Sequence, residues 1–225
     1  MKKLIVTLVV LCFIGATGTR AQTEKGNFLI GISTHANLGI MNMWGSDPNI
    51  MSLSFSKLKI KSDADEEDEP STKLTSINMA PRFGYFIVKN MVFGADFQLG
   101  YMKIRSDNDE EYSDSKFNST LFAAGPFIRY YFAAGKVCPF LEASAVFGSQ
   151  TEKYDYGDGD EETYKTKVNS YGGGAGIAIP IGKKVTFDTM LGYSSTSFKD
   201  KEDNPDNEKN ILGGFGINFG FQVYL

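Results

Sequence analysis

Five charged residues interrupt segments otherwise rich in glycine, serine and apolar side chains, and they are the best candidates for chemistry. Two are cationic and three are acidic: Arg82, Asp96, Arg129, Glu142 and Asp188. Opposite charges withdrawn from water are stabilised by pairing, so we expect a mutual salt-bridge network. The simpler interpretation is a polar plug that fills and rigidifies an interior. The alternative is a gate whose ion pairs exchange to admit ions.

A catalytic site is poorly supported by the residue types. His35 is the one histidine of the chain, and it shares a polar strand face with Ser33 and Asn37. A general base must lie within reach of its target, and an enzyme acting on lipid would have to direct that base outward. No zinc or haem spacing is present. We therefore predict a non-enzymatic protein that needs no cofactor.

Two acidic runs are the remaining chemical candidates. They cover Asp63–Glu69 and Asp155–Glu162. Clustered carboxylates can bind Ca²⁺ or Mg²⁺, but the spacing of an EF-hand is not met. We interpret both runs as solvated loops and assign no metal ligands.

The elements that must position the five charges are β-strands, because apolar and polar residues alternate with a period of two in eight segments. The first covers about Asn27–Met41 and the last Ile211–Leu225. The six between them are about Leu74–Ile87, Met91–Lys103, Phe117–Phe132, Val137–Gly148, Val168–Ile181 and Val185–Phe198. All five charged residues occupy the polar positions of this alternation, so their side chains point to the polar face of the sheet. If Ile87 and Met91 pair across the first turn, Arg82 lies opposite Asp96.

Short and long connections alternate between these segments. The short ones are Val88–Asn90, Ala133–Lys136 and Gly182–Lys184, and the long, charged ones are Asn42–Lys73, Met102–Lys116, Ser149–Lys167 and Lys199–Lys209. Three short turns and four long loops are what eight up-and-down strands with both ends on one side require. The sequence thus predicts an all-β fold, an eight-stranded antiparallel up-and-down transmembrane β-barrel.

The first long connection is unusually apolar for a solvated loop. Its large hydrophobic residues are Met43, Trp44, Ile50, Met51, Leu53, Phe55, Leu58 and Ile60. Two interpretations stay open: part of this stretch extends the first hairpin, or it presents an adhesive surface.

The start of the chain reads as a cleaved secretory signal peptide, residues 1–21, followed by a barrel domain at 22–225. Met1, Lys2 and Lys3 precede an apolar run too short to span a bilayer, and cleavage is expected after Ala21. Removal of three basic residues changes the formal charge from −4 (23 basic, 27 acidic) to −7 (20 basic, 27 acidic). Such a charge argues against nucleic acid as a partner.

The closing residues resemble the C-terminal assembly signal of bacterial outer-membrane barrels. Asn218, Gly220, Val223 and Leu225 occupy the polar, glycine and two hydrophobic positions, with Leu where that family usually has Phe. In phrases such as Pro81–Phe86 and Gly125–Phe132, the chain resembles the small outer-membrane β-barrel family of the OmpA/OmpX type from Gram-negative bacteria.

This resemblance implies an outer-membrane location, with both termini periplasmic and the long loops extracellular. It also implies three kinds of partner: outer-membrane lipid and lipopolysaccharide, the barrel-assembly machinery, and an extracellular partner reached through the loops. Members of the family serve as envelope anchors, adhesins, defence factors and narrow channels, so fold alone does not choose among them. We expect a structural or surface-interaction role in the cell envelope. A narrow, porin-like channel or small-molecule passage is the alternative.

A soluble, lipocalin-like barrel is the rival fold, since it too has eight alternating strands. Its polar face would point to water and its apolar face would enclose a ligand. Here the polar face is mostly Gly, Ser and Asn with isolated charges, which favours a crowded interior over a solvated exterior.

Overall fold

A computed structural model describes residues 23–33, 51–59, 71–107, 115–132, 137–155, 161–201 and 204–225. The described residues form ten strands: β1 (Phe28–Ser33), β2 (Met51–Lys59), β3 (Ser71–Met79), β4 (Pro81–Val88), β5 (Met91–Asp107), β6 (Ser115–Tyr131), β7 (Cys138–Asp155), β8 (Glu161–Pro180), β9 (Val185–Asp200) and β10 (Asn210–Tyr224). Within these ranges no helix is long and apolar enough to cross a membrane. The predicted signal peptide, His35, the run Asp63–Glu69 and the predicted first strand beyond Ser33 lie outside the described residues.

The strands form one antiparallel sheet that closes on itself. Its ring order is β1, β4, β5, β6, β7, β8, β9, β10, and the pairings β1–β10 and β5–β6 complete the circle. Only Ala80 separates β3 from β4, and both pair with β5 in one continuous register. β2 pairs with β3 just beyond the end of β1. The predicted eight-stranded up-and-down barrel is confirmed, with two ring positions each built from two successive strands.

The registers also define the stagger of the barrel. Following paired residues from Gln222 once around the ring leads back to β10 at Leu212, ten residues away. In a barrel of eight strands this stagger corresponds to a strand tilt of roughly 40° and an interior just wide enough to be filled by side chains. Lumen residues from non-adjacent strands can therefore touch.

The two faces of the sheet differ sharply in exposure. Outward Phe215 is 83% exposed, whereas inward Phe86 is fully buried. Exposed apolar residues form a band around the outside, among them Phe83, Phe93, Phe122, Phe147, Leu191 and Tyr193. An apolar exterior around a packed, partly polar interior is the arrangement of a transmembrane barrel and the reverse of a lipocalin.

The two ends of the barrel differ in their connections. At the turn end, Lys89 and Asn90 alone join β4 to β5, and Asn90 has a φ of 66°, a left-handed conformation that asparagine tolerates. Phe28 and Leu225 meet at the same end through two backbone hydrogen bonds of 2.9 Å. At the opposite, hairpin end, the strands of β5–β6, β7–β8 and β9–β10 continue past the apolar band.

The predicted pairing of Ile87 with Met91 is wrong. Met91 pairs with Val88, and the ladder shifts between Phe86 and Val88 because Ile87 is an extra, bulged residue. The observed turn, Lys89–Asn90, is one residue shorter than the predicted turn, Val88–Asn90, and the bulged residue restores the predicted register. Arg82 therefore pairs with Asp96, as the sequence predicted.

Several predicted loops are strand instead. β5 continues to Asp107, β7 continues to Asp155 and β8 starts at Glu161, so Met102–Lys116 and Ser149–Lys167 are mostly β-structure. Thr and Tyr residues, which favour strands, recur along the extensions of β7 and β8 where no apolar face is needed. β2 likewise lies inside the predicted connection Asn42–Lys73, which favours the extended-hairpin interpretation for residues 51–59.

Two apolar clusters fill much of the lumen. The larger, near the turn end, contains Leu29, Phe86, Val92, Phe127, Tyr131, Phe140, Ala178, Met190 and Tyr224. The smaller, toward the hairpin end, contains Leu121, Ala123, Val146 and Val168, with Phe198 packed against it. Along β7, Glu142 lies between Phe140 of the first cluster and Val146 of the second. The charged residues thus form a layer with apolar side chains on both sides.

Candidate functional site

Arg82 binds two carboxylates at once. Its Nε and Nη2 donate to the two oxygens of Asp96 on the neighbouring strand, both at 2.8 Å. Its Nη1 and Nη2 donate to Glu142 on β7, across the lumen, at 2.8 and 2.9 Å. The planar guanidinium suits such forked contacts, and the Arg82 side chain is only 1% exposed.

Arg129 extends the same network to a third carboxylate. Its Nε donates to Glu142 Oε2 at 2.5 Å, and its Nη1 donates to Asp188 on β9 and, at 2.9 Å, to the Tyr131 hydroxyl. Glu142 therefore bridges the two arginines. The structure brings together all five residues singled out in the sequence, in the order Asp96, Arg82, Glu142, Arg129, Asp188.

Hydroxyl groups close a circuit on the turn-end side of this network. The Tyr131 hydroxyl lies 3.0 Å from that of Tyr224, which lies 3.3 Å from Thr186 Oγ1, and Thr186 donates to Asp188 Oδ1 at 2.8 Å. Arg129 donates to both Tyr131 and Asp188, which closes the circuit. If Tyr131 donates to Tyr224 and Tyr224 donates to Thr186, each of the three hydroxyls donates once and accepts once. Such circuits strengthen each bond by mutual polarisation. This one links the last strand to β6 and β9.

Each arginine also lies on an aromatic ring. The guanidinium carbon of Arg82 is 4.2 Å from the ring centre of Phe127, and that of Arg129 is 4.0 Å from Phe140. The Phe140 ring needs a glycine opposite it, since a Cβ at Gly176 would lie 2.5 Å from its Cζ. Small residues on one wall of the lumen thus accommodate the rings that support the charges.

The charge layer carries two guanidinium groups and three carboxylates, a formal excess of one negative charge. The three carboxylate side chains are at most 5% exposed, and each accepts a hydrogen bond from an arginine. Removing one partner of a buried pair of this kind costs on the order of 3–5 kcal/mol, because the remaining charge is left uncompensated. Chemically, the layer can hold the walls of the barrel together, and opening it would require several such contacts to break at once.

Gln222 lacks the partners that the charged residues have, and the buried Gln98 Oε1 is likewise without a hydrogen-bond partner. Gln222 is fully buried, and neither its amide nitrogen nor its oxygen has a hydrogen-bond partner. It lies over Gly31, whose paired neighbours are Gln222 on one side and Arg82 on the other. An orphaned buried amide costs about 1–3 kcal/mol, so Gln222 weakens an otherwise well-bonded layer.

The lumen at the hairpin end is acidic. Glu152 accepts a hydrogen bond from Gln150 at 2.7 Å, and burial raises the pKa of Glu152, an effect that the Tyr154 hydroxyl opposes and the Asp200 carboxylate reinforces. Among the described residues, no three His, Cys, Asp or Glu side chains are arranged to hold a metal ion.

Sequence reasoning missed the groups that complete the network. Tyr131, Tyr224, Thr186, Phe127 and Phe140 were not singled out. All but Tyr224 share the inward phase of their strand with a predicted charge, and Tyr224 shares it with the inward Asn218 and Gly220 of β10. That shared phase was the available signal. It could not show which of the many inward residues meet across the lumen.

The residues of the predicted assembly signal occupy both faces of β10. Asn218 and Gly220 point inward, whereas Val223 and Leu225 point outward and are 36% and 55% exposed. Their outward phase continues the apolar band formed by Phe219 and Phe221.

No protein-family model matches this sequence, and no curated protein is significantly similar to it. Among solved structures, the crystal structure of Neisserial surface protein A aligns with 88% of this chain and 97% of its own, at 14% identity and a TM-score of 0.35. Similarity at this level carries no functional argument, and the barrel assignment rests on the ring of paired strands.

Proposed function

We propose that this protein is an integral barrel of the bacterial outer membrane with a non-enzymatic structural or surface-interaction role. The observation that carries the proposal is the charge layer that crosses the lumen. A salt-bridge network joins β4, β5, β6, β7 and β9, and apolar clusters lie on both sides of it. A barrel tied together in this way is suited to be a stable anchor.

The outer surface supports the membrane placement. Large apolar side chains there, such as Phe28, Phe83 and Leu141, are about half exposed, which is costly in water and favourable in lipid. In this placement the turn end with both chain termini faces the periplasm, and assembly depends on the barrel-assembly machinery.

The strand extensions at the hairpin end support a surface role. β7 and β8 pair from Cys138–Ala178 to Asp155–Glu161, well past the last outward aromatic residues Phe147 and Tyr171. Such rigid hairpins would project from the membrane and offer a surface to an extracellular partner, for adhesion or defence.

A narrow channel is the alternative, and the excess carboxylate of the charge layer favours it, because a negative interior would select cations. The channel requires the network to open. The plug requires it to stay closed.

Planar-bilayer conductance of the purified mature protein tests the proposal. We expect no steady conductance from the wild type or from Asp96→Leu, in which Arg82 keeps its contact with Glu142. Heat-modifiable migration in gels shows that each sample is folded. Steady, cation-selective conductance by the folded wild type, with weaker cation selectivity in Asp96→Leu because that variant removes the excess carboxylate, would replace the anchor with the channel.

A further inference from the structure

The inner face of the barrel at the hairpin end combines acidic side chains with aromatic rings. Its acids and rings are Glu152, Glu162, Asp200, Phe117, Tyr154, Tyr164 and Phe198, and we call these seven residues the acid–aromatic mouth. At the inward positions of these strand extensions whose side chains are described, no lysine or arginine occurs. Cations such as Lys103, Arg105 and Lys153 lie on the outward phase of the same extensions. The protein thus separates its charges by face and gathers acids around aromatic rings.

Two acids and two tyrosines of the mouth alternate in a square on β7 and β8. Glu152 pairs with Tyr164, and Tyr154 pairs with Glu162. Tyr164 donates to Glu162 at 2.6 Å, Tyr154 donates to Glu152 at 3.5 Å, and the two ring centres lie 5.7 Å apart. Each carboxylate is therefore held beside a ring. Because the two acids are diagonal neighbours, their strand positions are about 7–8 Å apart.

Neighbouring strands extend the square on both sides. On β6, the Phe117 ring centre lies 4.8 Å from that of Tyr154. On β9, the Asp200 carboxylate accepts a hydrogen bond of 2.9 Å from Thr166 of β8. The rings and acids thus form a continuous surface across four strands.

A cavity of about 260 Å³ adjoins this surface at Asp200. The described residues that line it include Phe198, Asp206 and Glu208, with Lys209 as a cation on its wall. The same combination of an aromatic ring and carboxylates therefore continues from the square into a concave space.

The charges of the mouth favour a cationic ligand. The hydrogen bonds to Glu152 and Asp200 come from the neutral donors Gln150, Tyr154 and Thr166. Burial and, after the opposing Tyr154 hydroxyl, the Asp200 carboxylate raise the pKa of Glu152. Carboxylates that are half-buried and repel each other are stabilised by a bound cation.

The geometry favours an organic cation over a metal ion. A metal ion needs several oxygens within about 2.0–2.6 Å of one point, and no three carboxylates of the described residues are arranged in this way. Aromatic rings attract ammonium groups through their π-faces and pack against the aliphatic carbons next to them. Tyr164 is 50% exposed, so its ring is accessible to such a ligand. Acids spaced too widely to share one ion suit a chain that carries several ammonium groups.

We propose that the acid–aromatic mouth binds aliphatic polyamines, with ammonium groups on its carboxylates and the methylene spacers on its rings. The charge layer lies deeper in the lumen, so a bound polyamine stays at the mouth. This binding function goes beyond the proposed anchor role, and it requires the folded barrel but no particular orientation in a membrane.

The test is titration calorimetry of spermidine with the folded mature protein in micelles of an uncharged detergent. The mouth variant is Glu152→Gln/Asp200→Asn. The matched control, Asp155→Asn/Glu161→Gln, removes one Asp and one Glu from the outward face of the same end. A charge-assisted contact contributes about a factor of ten in affinity, so we expect the mouth variant to bind about a hundredfold more weakly. The control should stay within about twofold of the wild type, because exposed charges contribute little.

A second pair of variants tests the aromatic contribution. Tyr164→Leu should weaken spermidine binding about fivefold, because it removes a ring that contacts an ammonium group. Tyr164→Phe keeps the ring and should bind within about twofold of the wild type. Wild-type affinity in Tyr164→Leu would overturn the inference.

Three further results would also overturn it. They are equal affinity of the wild type and the mouth variant, an equal loss in the outward control, and full competition by an equal concentration of Mg²⁺. Heat-modifiable migration shows that each sample is folded. If the mouth variant does not fold, the exposed Glu162→Gln replaces it, with about a tenfold loss expected and wild-type affinity overturning the inference.

The outcome is independent of the test of the proposed function. Loss of the inference in micelles leaves the anchor role intact. Conductance of the wild type in planar bilayers would replace the anchor with the channel and leave polyamine binding at the mouth intact.

Discussion

At the scale of single residues, the two arginines of the lumen are not equivalent to the three acids. Arg82 donates to both Asp96 and Glu142, so its loss leaves Arg129 as the one guanidinium among three carboxylates. Loss of Asp96 instead leaves two arginines and two acids, a balanced set. The charge layer should therefore tolerate removal of an acid better than removal of an arginine.

This asymmetry predicts the outcome of a double-mutant cycle on Arg82 and Asp96. We expect Arg82→Met to lower the free energy of unfolding by about 3–5 kcal/mol and Asp96→Leu by clearly less, because a lone buried charge is the costly state. The double variant should recover much of the arginine loss. Urea unfolding in micelles measures all four proteins. Additive effects would mean that the two side chains do not meet.

Gln222 predicts a stabilising substitution. Its amide is buried without a partner, so Gln222→Met should raise the free energy of unfolding by about 1 kcal/mol, since it removes an orphaned polar group at similar volume. Gln150→Met is the control and should be destabilising, because Gln150 donates to Ser119 at 2.9 Å and to Glu152 at 2.7 Å. A drop in stability for Gln222→Met would show that the amide has a partner.

At the scale of strands, close approach of neighbouring walls requires glycine at specific inward positions. A Cβ at Gly94 would overlap the Phe83 carbonyl oxygen and come within 2.6 Å of the Phe127 ring that supports Arg82. We predict that Gly94→Ala destabilises the barrel by about 1–3 kcal/mol. Gly216→Ala, where no atom lies within 4 Å, should be neutral or better. Thermal unfolding of the two variants compares them directly, and equal midpoints would refute the packing argument.

The terminal strand predicts a defect in assembly. Val223 and Leu225 point outward at the turn-end edge of the apolar band, so Val223→Asp/Leu225→Asp should block insertion, because it removes both hydrophobic positions of the terminal signal and places two charges against lipid. Thr151→Asp/Thr163→Asp adds the same charge on the outward face of β7 and β8, beyond Phe147 and Tyr171, and should insert. Heat-modifiable protein in the outer-membrane fraction is the measurement. Normal recovery of the first variant would mean that the terminal signal has been misassigned.

At the scale of the whole molecule, the two ends of the barrel should face different compartments. In a Cys138→Ala background, Asp206→Cys at the hairpin end should react with a membrane-impermeant thiol reagent on intact cells, while Lys183→Cys at the turn end should not. Both positions are exposed in the structure, so a difference between them reports the membrane rather than burial. Labelling of Lys183→Cys with protection of Asp206→Cys would invert the orientation.

The sequence alone was sufficient for the strand pattern, because alternation is a local property that each segment shows by itself. It placed Arg82, Asp96, Arg129, Glu142 and Asp188 on the inward phase and made Arg82 a neighbour of Asp96 through one short turn. It failed on the lengths of the connections, where polar strand extensions such as those of β7 and β8 look like loops.

The tertiary structure alone decided which inward residues meet. Glu142 lies 60 positions from Arg82 and Asp188 lies 59 from Arg129, and no local pattern relates them. Their contact depends on the stagger accumulated over eight ladders, since a shift of two residues in any register would bring other side chains to the same height. The same closure joins Tyr224 to Tyr131, 93 positions away in the sequence. Sequence thus determined the face that each residue occupies, and the closed register of the barrel determined its partners.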